Sequence, residues 1–202
     1  MKPRFIIEQK ITAMVNKYKI LASDEQGNAG QVVALAQQKR LAFKEKVLFY
    51  TDESKAALSF TMRAEKVLDI HGKFLVEDAN GGYIGGFKKD FGQSLAVSTW
   101  HVLDAQDNHL FTVSESNRTV AVLRRYLQFV PLIGDIAELV MVFFRYHFNY
   151  VRPGTDQPVA KYEKTTLFRD HYRLSMTDDA YAQVDWRVLV AMSVALDALQ
   201  GR

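Results

Sequence analysis

The chain has 202 residues and a formal net charge of +3, and it contains no cysteine, which excludes disulfide bonds, thiolate metal sites and cysteine catalysis. Its hydrophobic fraction of 48% and charged fraction of 24% are typical of one globular domain with a large core, here spanning residues 1–202. No segment has the ~20 uninterrupted apolar residues of a membrane-spanning helix, and the N-terminus lacks a signal-peptide run. We therefore expect a soluble cytoplasmic protein, with peripheral contact to a membrane left open.

Four segments share a pattern of strand, polar turn and second strand. Their turns are DEQGN at 24–28, DANGG at 78–82, DAQDN at 104–108 and PGTDQ at 153–157. Asp or Pro favours the first turn position, and Gly or Asp tolerates a left-handed conformation three residues later. We expect that conformation at Gly27, Gly81, Asp107 and Asp156. The flanking residues alternate between apolar and polar, as in antiparallel strands with one buried face.

Five further strands are predicted at 4–10, 41–50, 57–62, 94–97 and 164–168, which brings the expected total to ten to twelve. Residues 117–145 lack alternation and show apolar residues three or four apart, so they predict a helical hairpin inserted between the third and fourth units. Arg124, Arg125, Tyr126 and Phe129 of this insert are candidates for contact with a membrane or a partner. Packing on one end of the barrel, or a homodimer contact, is the alternative.

The last segment, 184–200, predicts a helix that is apolar around most of its circumference and must therefore be enclosed. A sheet of this many strands tends to close, and the interior of such a barrel is wider than its own side chains fill. We therefore predict a mostly β (α+β) fold: a closed antiparallel β-barrel of about twelve strands around a buried C-terminal α-helix, with a helical insert. Residues 188–199 should be buried, with Ser193 and Asp197 as the polar seam.

Basic residues cluster near strand ends, and Lys88, Lys89, Lys161 and Lys164 are candidates for holding a phospholipid headgroup. Scattered solvated lysines are the alternative. The hairpin spacing allows His101 and His109 to meet, which is commonly accidental, and no histidine has metal-ligand spacing, so no metal site or cofactor is expected. No nucleophile-elbow signature occurs, and we therefore expect no enzymatic activity. The run GGYIGG at 81–86 lies inside a hairpin, where its glycines suit a turn and a bulge or close packing.

Several of these segments together resemble the LURP-one-related family, within the tubby C-terminal-like superfamily that also holds the phospholipid scramblases. They are FIIEQK, YKILASDEQGN, the two central hairpins, HYRLSM and the acidic-aromatic-basic start of DWRVLVAMSVALDAL. The resemblance implies a twelve-stranded barrel around the last helix and a non-enzymatic, scramblase-like protein that binds phospholipid headgroups or the membrane surface. A protein-interaction or scaffold module is the alternative. No basic stripe with interleaved aromatic residues points to nucleic acid.

Overall fold

A computed structural model of the chain describes residues 1–11, 15–39, 46–65, 72–90, 98–116, 147–166 and 170–200. This part of the chain forms twelve strands and two helices. The strands are β1 Lys2–Ile11, β2 Val15–Ser23, β3 Ala29–Lys39, β4 Val47–Tyr50, β5 Leu58–Ala64, β6 Lys73–Asp78, β7 Tyr83–Lys89, β8 Thr99–Leu103, β9 His109–Glu115, β10 Phe148–Val151, β11 Pro158–Lys164 and β12 Asp170–Met176. The helices are α1 Asp178–Tyr181 and α2 Trp186–Gln200.

Every strand pairs in antiparallel fashion with the next one along the chain, and β1 pairs with β12 to close the barrel. The predicted closed barrel of about twelve strands is thus confirmed. The separate strand predicted at 164–168 is wrong, because β11 already ends at Lys164 and the next two residues belong to no strand. The strand predicted at 94–97 lies outside the described residues.

The hairpin turns follow the predicted chemistry at three of four positions. Gly27 and Gly81 each have φ of 87°, and Asp107 has φ of 64°. In the fourth turn the left-handed residue is Gly154, with φ of 76°, and not Asp156 as expected. Proline fixes its own φ near −65°, so the residue that follows Pro153 takes the left-handed position of a type II turn. The turn is closed by the amide of Thr155, which donates to the Arg152 carbonyl at 3.1 Å.

Helix α2 begins after Asp185, whose carboxylate accepts the backbone N–H of Arg187 at 2.9 Å and so caps the first turn. The prediction that residues 188–199 are buried is confirmed from Val188 to Asp197, whereas Ala198 is half-buried and the side chain of Leu199 lies outside those described. From Val188 to Leu196 every side chain is at most 1% exposed, including that of Ser193. The enclosing surface is the inward face of the strands, which supplies most of the remaining buried core.

A glycine in β7 allows the helix to approach the barrel wall. Gly85 has φ of 133°, and a Cβ atom there would lie 2.7 Å from the carbonyl oxygen of Leu103 and 3.0 Å from Cγ2 of Val188. A side chain at this position would therefore collide with both β8 and α2. This confirms that Gly85 serves close packing, and it accounts for part of the GGYIGG run.

Residues 117–145, including Arg124, Arg125, Tyr126 and Phe129, lie outside the described residues, so the helical insert and its contacts stay a prediction. Within the described ranges, no helix is long and apolar enough to cross a lipid bilayer.

Candidate functional site

The polar seam of helix α2 is a structural element of the barrel interior. Asp197 is 4% exposed, and its carboxylate accepts hydrogen bonds from the hydroxyl groups of Tyr172 at 2.7 Å and Tyr18 at 2.9 Å. Burial raises the pKa of Asp197 to about 6, although both hydrogen bonds oppose the shift. Burial, together with the neighbouring carboxylate, also raises the pKa of both tyrosines, so they remain neutral donors. The expected internal hydrogen-bonded role of Asp197 is thus what the structure has.

The four lysines that the sequence suggested as a headgroup site are not brought together. Lys88 and Lys89 lie on β7, and Lys161 and Lys164 lie on β11, with three strands between them. Lys164 is only 6% exposed, and its ammonium group donates to Asp170 at 2.9 Å. These residues therefore form two separate pairs, and their contact with a headgroup stays a prediction.

The half-buried Lys89 has its ammonium group 5.7 Å from the ring centre of Trp100, which is a cation–π contact. Lys88 and Lys161 are exposed on the outer wall of the barrel. Of the four lysines, these two have the ammonium groups best placed to meet a ligand from solvent.

A different set of lysines lines a groove on the outer wall of β1, β2 and β3. The groove has a volume of about 530 Å³ and is lined by four lysines, Lys10, Lys17, Lys19 and Lys55, against two glutamates, Glu8 and Glu53. We call this feature the lysine groove. Its volume is within the range of small-molecule sites, about 300–1,000 Å³.

The barrel register explains why these side chains converge. Lys10 of β1 lies directly opposite Lys17 of β2, and Gln37 of β3 continues that row. Two residues along, Glu8 lies opposite Lys19. Alternate residues of a strand share a face, so both rows point away from the barrel interior, while Tyr18 between them points inward. The second row continues through Leu35 and Tyr50, whose side chains supply the apolar part of the groove.

The connection between β4 and β5 forms one wall of the lysine groove. Lys55 in this connection has φ of 57°, a left-handed conformation that is uncommon for a residue other than glycine. The side chain of Asp52 stabilises the turn by accepting the amide of Ser54 at 2.8 Å. The ammonium group of Lys55 reaches over β3 and donates to the side-chain oxygen of Gln37 at 2.6 Å. A strained backbone thus carries a fourth positive charge to the groove.

Lys19 lies opposite Glu8, whereas Lys10 and Lys17 lie opposite each other. Within the part of the chain that the structure describes, Lys10, Lys17 and Lys19 form no ion pair. Like charges directly opposite each other on neighbouring strands are destabilising, by roughly 0.2–1 kcal/mol. Lys10 and Lys17 therefore place two exposed positive charges at opposed positions of β1 and β2.

Comparison with known proteins identifies the family. The model of the family described as LURP-one-related matches residues 32–197, which is most of the chain. The chain belongs to the LURP-one-related family. This confirms the resemblance drawn from the scattered sequence segments, and the match ends on the buried Asp197 of the LURP-one-related barrel. The search of curated proteins gave no match.

Three of the groove lysines, Lys10, Lys17 and Lys19, precede the segment that matches the LURP-one-related family. The family match therefore supports the fold and does not extend to these three residues. The sequence carried a weak signal for them, since Lys17 and Lys19 alternate with the inward Tyr18 and Ile20. What it lacked was the register that sets Lys10 opposite Lys17 and the turn that delivers Lys55.

Proposed function

We propose that this LURP-one-related protein is a non-enzymatic barrel that binds the phosphate-bearing headgroups of anionic phospholipids in the lysine groove, at the membrane surface. The observation that carries the proposal is the facing pair Lys10 and Lys17, two uncompensated ammonium groups at directly opposed positions of β1 and β2. A phosphate oxygen between them accepts charge-assisted hydrogen bonds from both and removes their mutual repulsion.

The rest of the groove supports the same ligand chemistry. Lys19 follows Lys17 on the same face, and Lys55 reaches in from the opposite wall, so a headgroup meets positive charge from two sides. Leu35 and Tyr50 offer apolar surface to the carbon skeleton of the headgroup. Four lysines against two glutamates leave a formal excess of two positive charges, which favours an anion over a zwitterion.

Vesicle flotation tests the proposal. The wild-type chain is mixed with vesicles of phosphatidylcholine alone, with added phosphatidylserine, or with added phosphatidylinositol phosphate. We expect flotation with the anionic vesicles only, and weaker binding as salt is raised. The double variant Lys10→Ala/Lys17→Ala should bind about 30-fold more weakly, because each lysine near an anionic surface contributes about 1 kcal/mol.

The charge-matched control is Lys88→Ala/Lys161→Ala, which removes two exposed lysines elsewhere on the barrel wall. It should keep at least half of the wild-type binding. If both double variants lose the same amount of vesicle binding, the protein is attracted by its overall charge and the lysine groove is not the binding site. If only the control loses binding, the site lies at Lys88 and Lys161. If the wild type floats with none of the anionic vesicles, lipid binding itself is wrong.

Competition separates a headgroup site from a general surface charge. Soluble inositol phosphate should displace the wild-type chain from the vesicles at lower concentration than equal ionic strength of sodium chloride does. Displacement that depends only on ionic strength would contradict a built phosphate site in the groove.

A further inference from the structure

Two histidines meet on the outer wall of the barrel, away from the lysine groove. His101 of β8 and His109 of β9 point outward, and their ring centres are 4.1 Å apart, with an angle of 70° between the ring planes. Nδ1 of His101 lies 2.9 Å from Nε2 of His109. The meeting that the hairpin spacing allows is confirmed. The hydroxyl oxygen of Thr112 lies 3.1 Å from the same His109 nitrogen.

The protonation of His101 follows from its carboxylate neighbour. Nε2 of His101 lies 3.0 Å from a carboxylate oxygen of Asp90. A carboxylate only accepts, so this nitrogen carries the hydrogen, and in that tautomer Nδ1 of His101 accepts the hydrogen bond that joins the two rings. A carboxylate behind the ring is the arrangement that orients metal-ligating histidines.

His109 has the outer partner that a second ligand requires. The backbone carbonyl of Phe111 accepts a hydrogen bond from the His109 ring. Partial burial and the neighbouring His101 ring lower the pKa of His109. When a metal ion replaces the hydrogen between the rings and that hydrogen moves to Nδ1 of His109, beside the Phe111 carbonyl, Nε2 of His109 and Nδ1 of His101 each have a lone pair available. The exposed side chain of His109 gives an ion direct access from solvent.

We propose that His101 Nδ1 and His109 Nε2 form a bidentate site for a divalent transition-metal ion, with copper(II) preferred and nickel(II) second. Metal–imidazole bonds are about 2.0–2.1 Å long, so two nitrogens 2.9 Å apart subtend an angle of about 90° at the metal. This is the angle between neighbouring ligands in square-planar or octahedral coordination, which copper(II) and nickel(II) adopt.

The same distance disfavours a tetrahedral ion. Ligands at about 109° around zinc would need nitrogens about 3.3 Å apart, and the hairpin holds them closer. Copper(II) is also the strongest binder of the divalent series at nitrogen sites. The charged groups that influence the pair are Asp90, which favours a cation, and Lys88, which opposes it. Within the described residues no third histidine or carboxylate converges as a ligand, so water completes the coordination shell.

Copper(II) titration of the full chain, without any affinity tag, tests the site. We expect one copper ion per chain, with an electron paramagnetic resonance spectrum that shows coupling to two imidazole nitrogens. His109→Ala should weaken binding at least 10-fold. Asp90→Asn should weaken it about 10- to 100-fold, because it removes the outer partner that orients His101 and leaves both ligands in place. His171→Ala removes a histidine elsewhere on the wall and should leave the affinity unchanged.

Two results would overturn the site. One is equal copper affinity in the wild type and in the folded double variant His101→Ala/His109→Ala. The other needs no variant: copper in the wild-type chain broadens nearby NMR signals, and broadening centred away from β8 and β9 contradicts the assignment. Neither measurement uses vesicles, so the outcome is independent of the lipid-binding proposal.

Discussion

The polar side chains on the two faces of strand β2 differ in whether they have a partner. On the inner face, Tyr18 donates to the buried Asp197, whose carboxylate is also bound by Tyr172. On the outer face, Lys17 and Lys19 point into the lysine groove without an ion pair in the described part of the chain. The barrel thus gives its buried carboxyl group two hydrogen-bond partners and leaves the lysines on its outer face without an ion pair in the described part of the chain. Stability and binding should therefore respond to different substitutions along the same strand.

The largest effect is expected from Asp197→Ala. This change leaves two buried tyrosine hydroxyl groups without an acceptor and opens a small cavity, for a combined loss of about 4 kcal/mol in the free energy of unfolding. Urea denaturation measures the loss. Ser193→Ala is the matched control, because the Ser193 hydroxyl donates to the Leu189 carbonyl of its own helix at 2.9 Å and its loss leaves no charged group unpaired, so it should cost less than about 1 kcal/mol. Similar losses for both variants would contradict the special role of the inner face.

The pH dependence of stability gives the next largest effect. The pKa of Asp197 is raised to about 6 in the folded protein from an ordinary value of 3.8, so the folded state favours the protonated carboxyl. Its contribution is complete below about pH 4 and is lost as pH rises through about 6, a change of up to about 3 kcal/mol at 1.36 kcal/mol per unit.

Asp197→Asn should remove this slope, because the amide does not titrate. Urea unfolding at pH 4.5 and pH 7 measures the difference for both proteins. Groups with lowered pKa, such as Glu77 and His109, give a slope of the opposite sign in the lower or middle part of this window, and the wild type and the variant share it. An equal slope in wild type and variant would assign the pH dependence to another group.

Most of the residues that face the barrel interior are predictable from the sequence, whereas the arrangement of the residues on its outer wall is not. Enclosure of helix α2 follows from its apolar circumference, and Asp197 is predictable as a polar exception because it shares the narrow polar strip of that helix with Ser193. Its tyrosine partners were not predictable, since Tyr18 and Tyr172 lie on strands far apart in the chain. Only the pairing of β1 with both β2 and β12 brings those strands together.

The outer face depends on register, which alternation alone does not determine. A shift of one residue between β1 and β2 would remove the opposition of Lys10 and Lys17 while keeping every strand in place. The candidate pairs chosen from sequence, at 88–89 and 161–164, were neighbours along the chain. The groove instead draws its lysines from three separate segments.

The smallest expected change in stability comes from a substitution on the outer face, which should affect vesicle binding and stability in opposite directions. Lys10→Glu replaces two like charges in opposed positions with an ion pair to Lys17, which should raise the free energy of unfolding by about 0.5 kcal/mol. The same change should abolish flotation with anionic vesicles. Thermal unfolding and flotation on one preparation measure both.

The control for this prediction is Lys161→Glu, because Lys161 lies opposite the neutral residues Asn149 and Ser175. It should gain no stability and keep most of its binding. A lower free energy of unfolding in Lys10→Glu would show that the charges of Lys10 and Lys17 are already compensated. It would contradict the observation on which the proposed binding site rests.

The seam between β1 and β12 also sets the order in which the protein is able to fold. Lys2 pairs with Met176, so β1, which is synthesised before the other strands of the barrel, meets its second neighbour only after β12 has emerged from the ribosome. Until then β1 presents an unpaired edge, which is a template for association with other chains. Contacts this distant in sequence slow folding, because the closure entropy is lost before the pairing is gained. The step that seals the barrel is therefore the one during which a nascent chain is most exposed to aggregation.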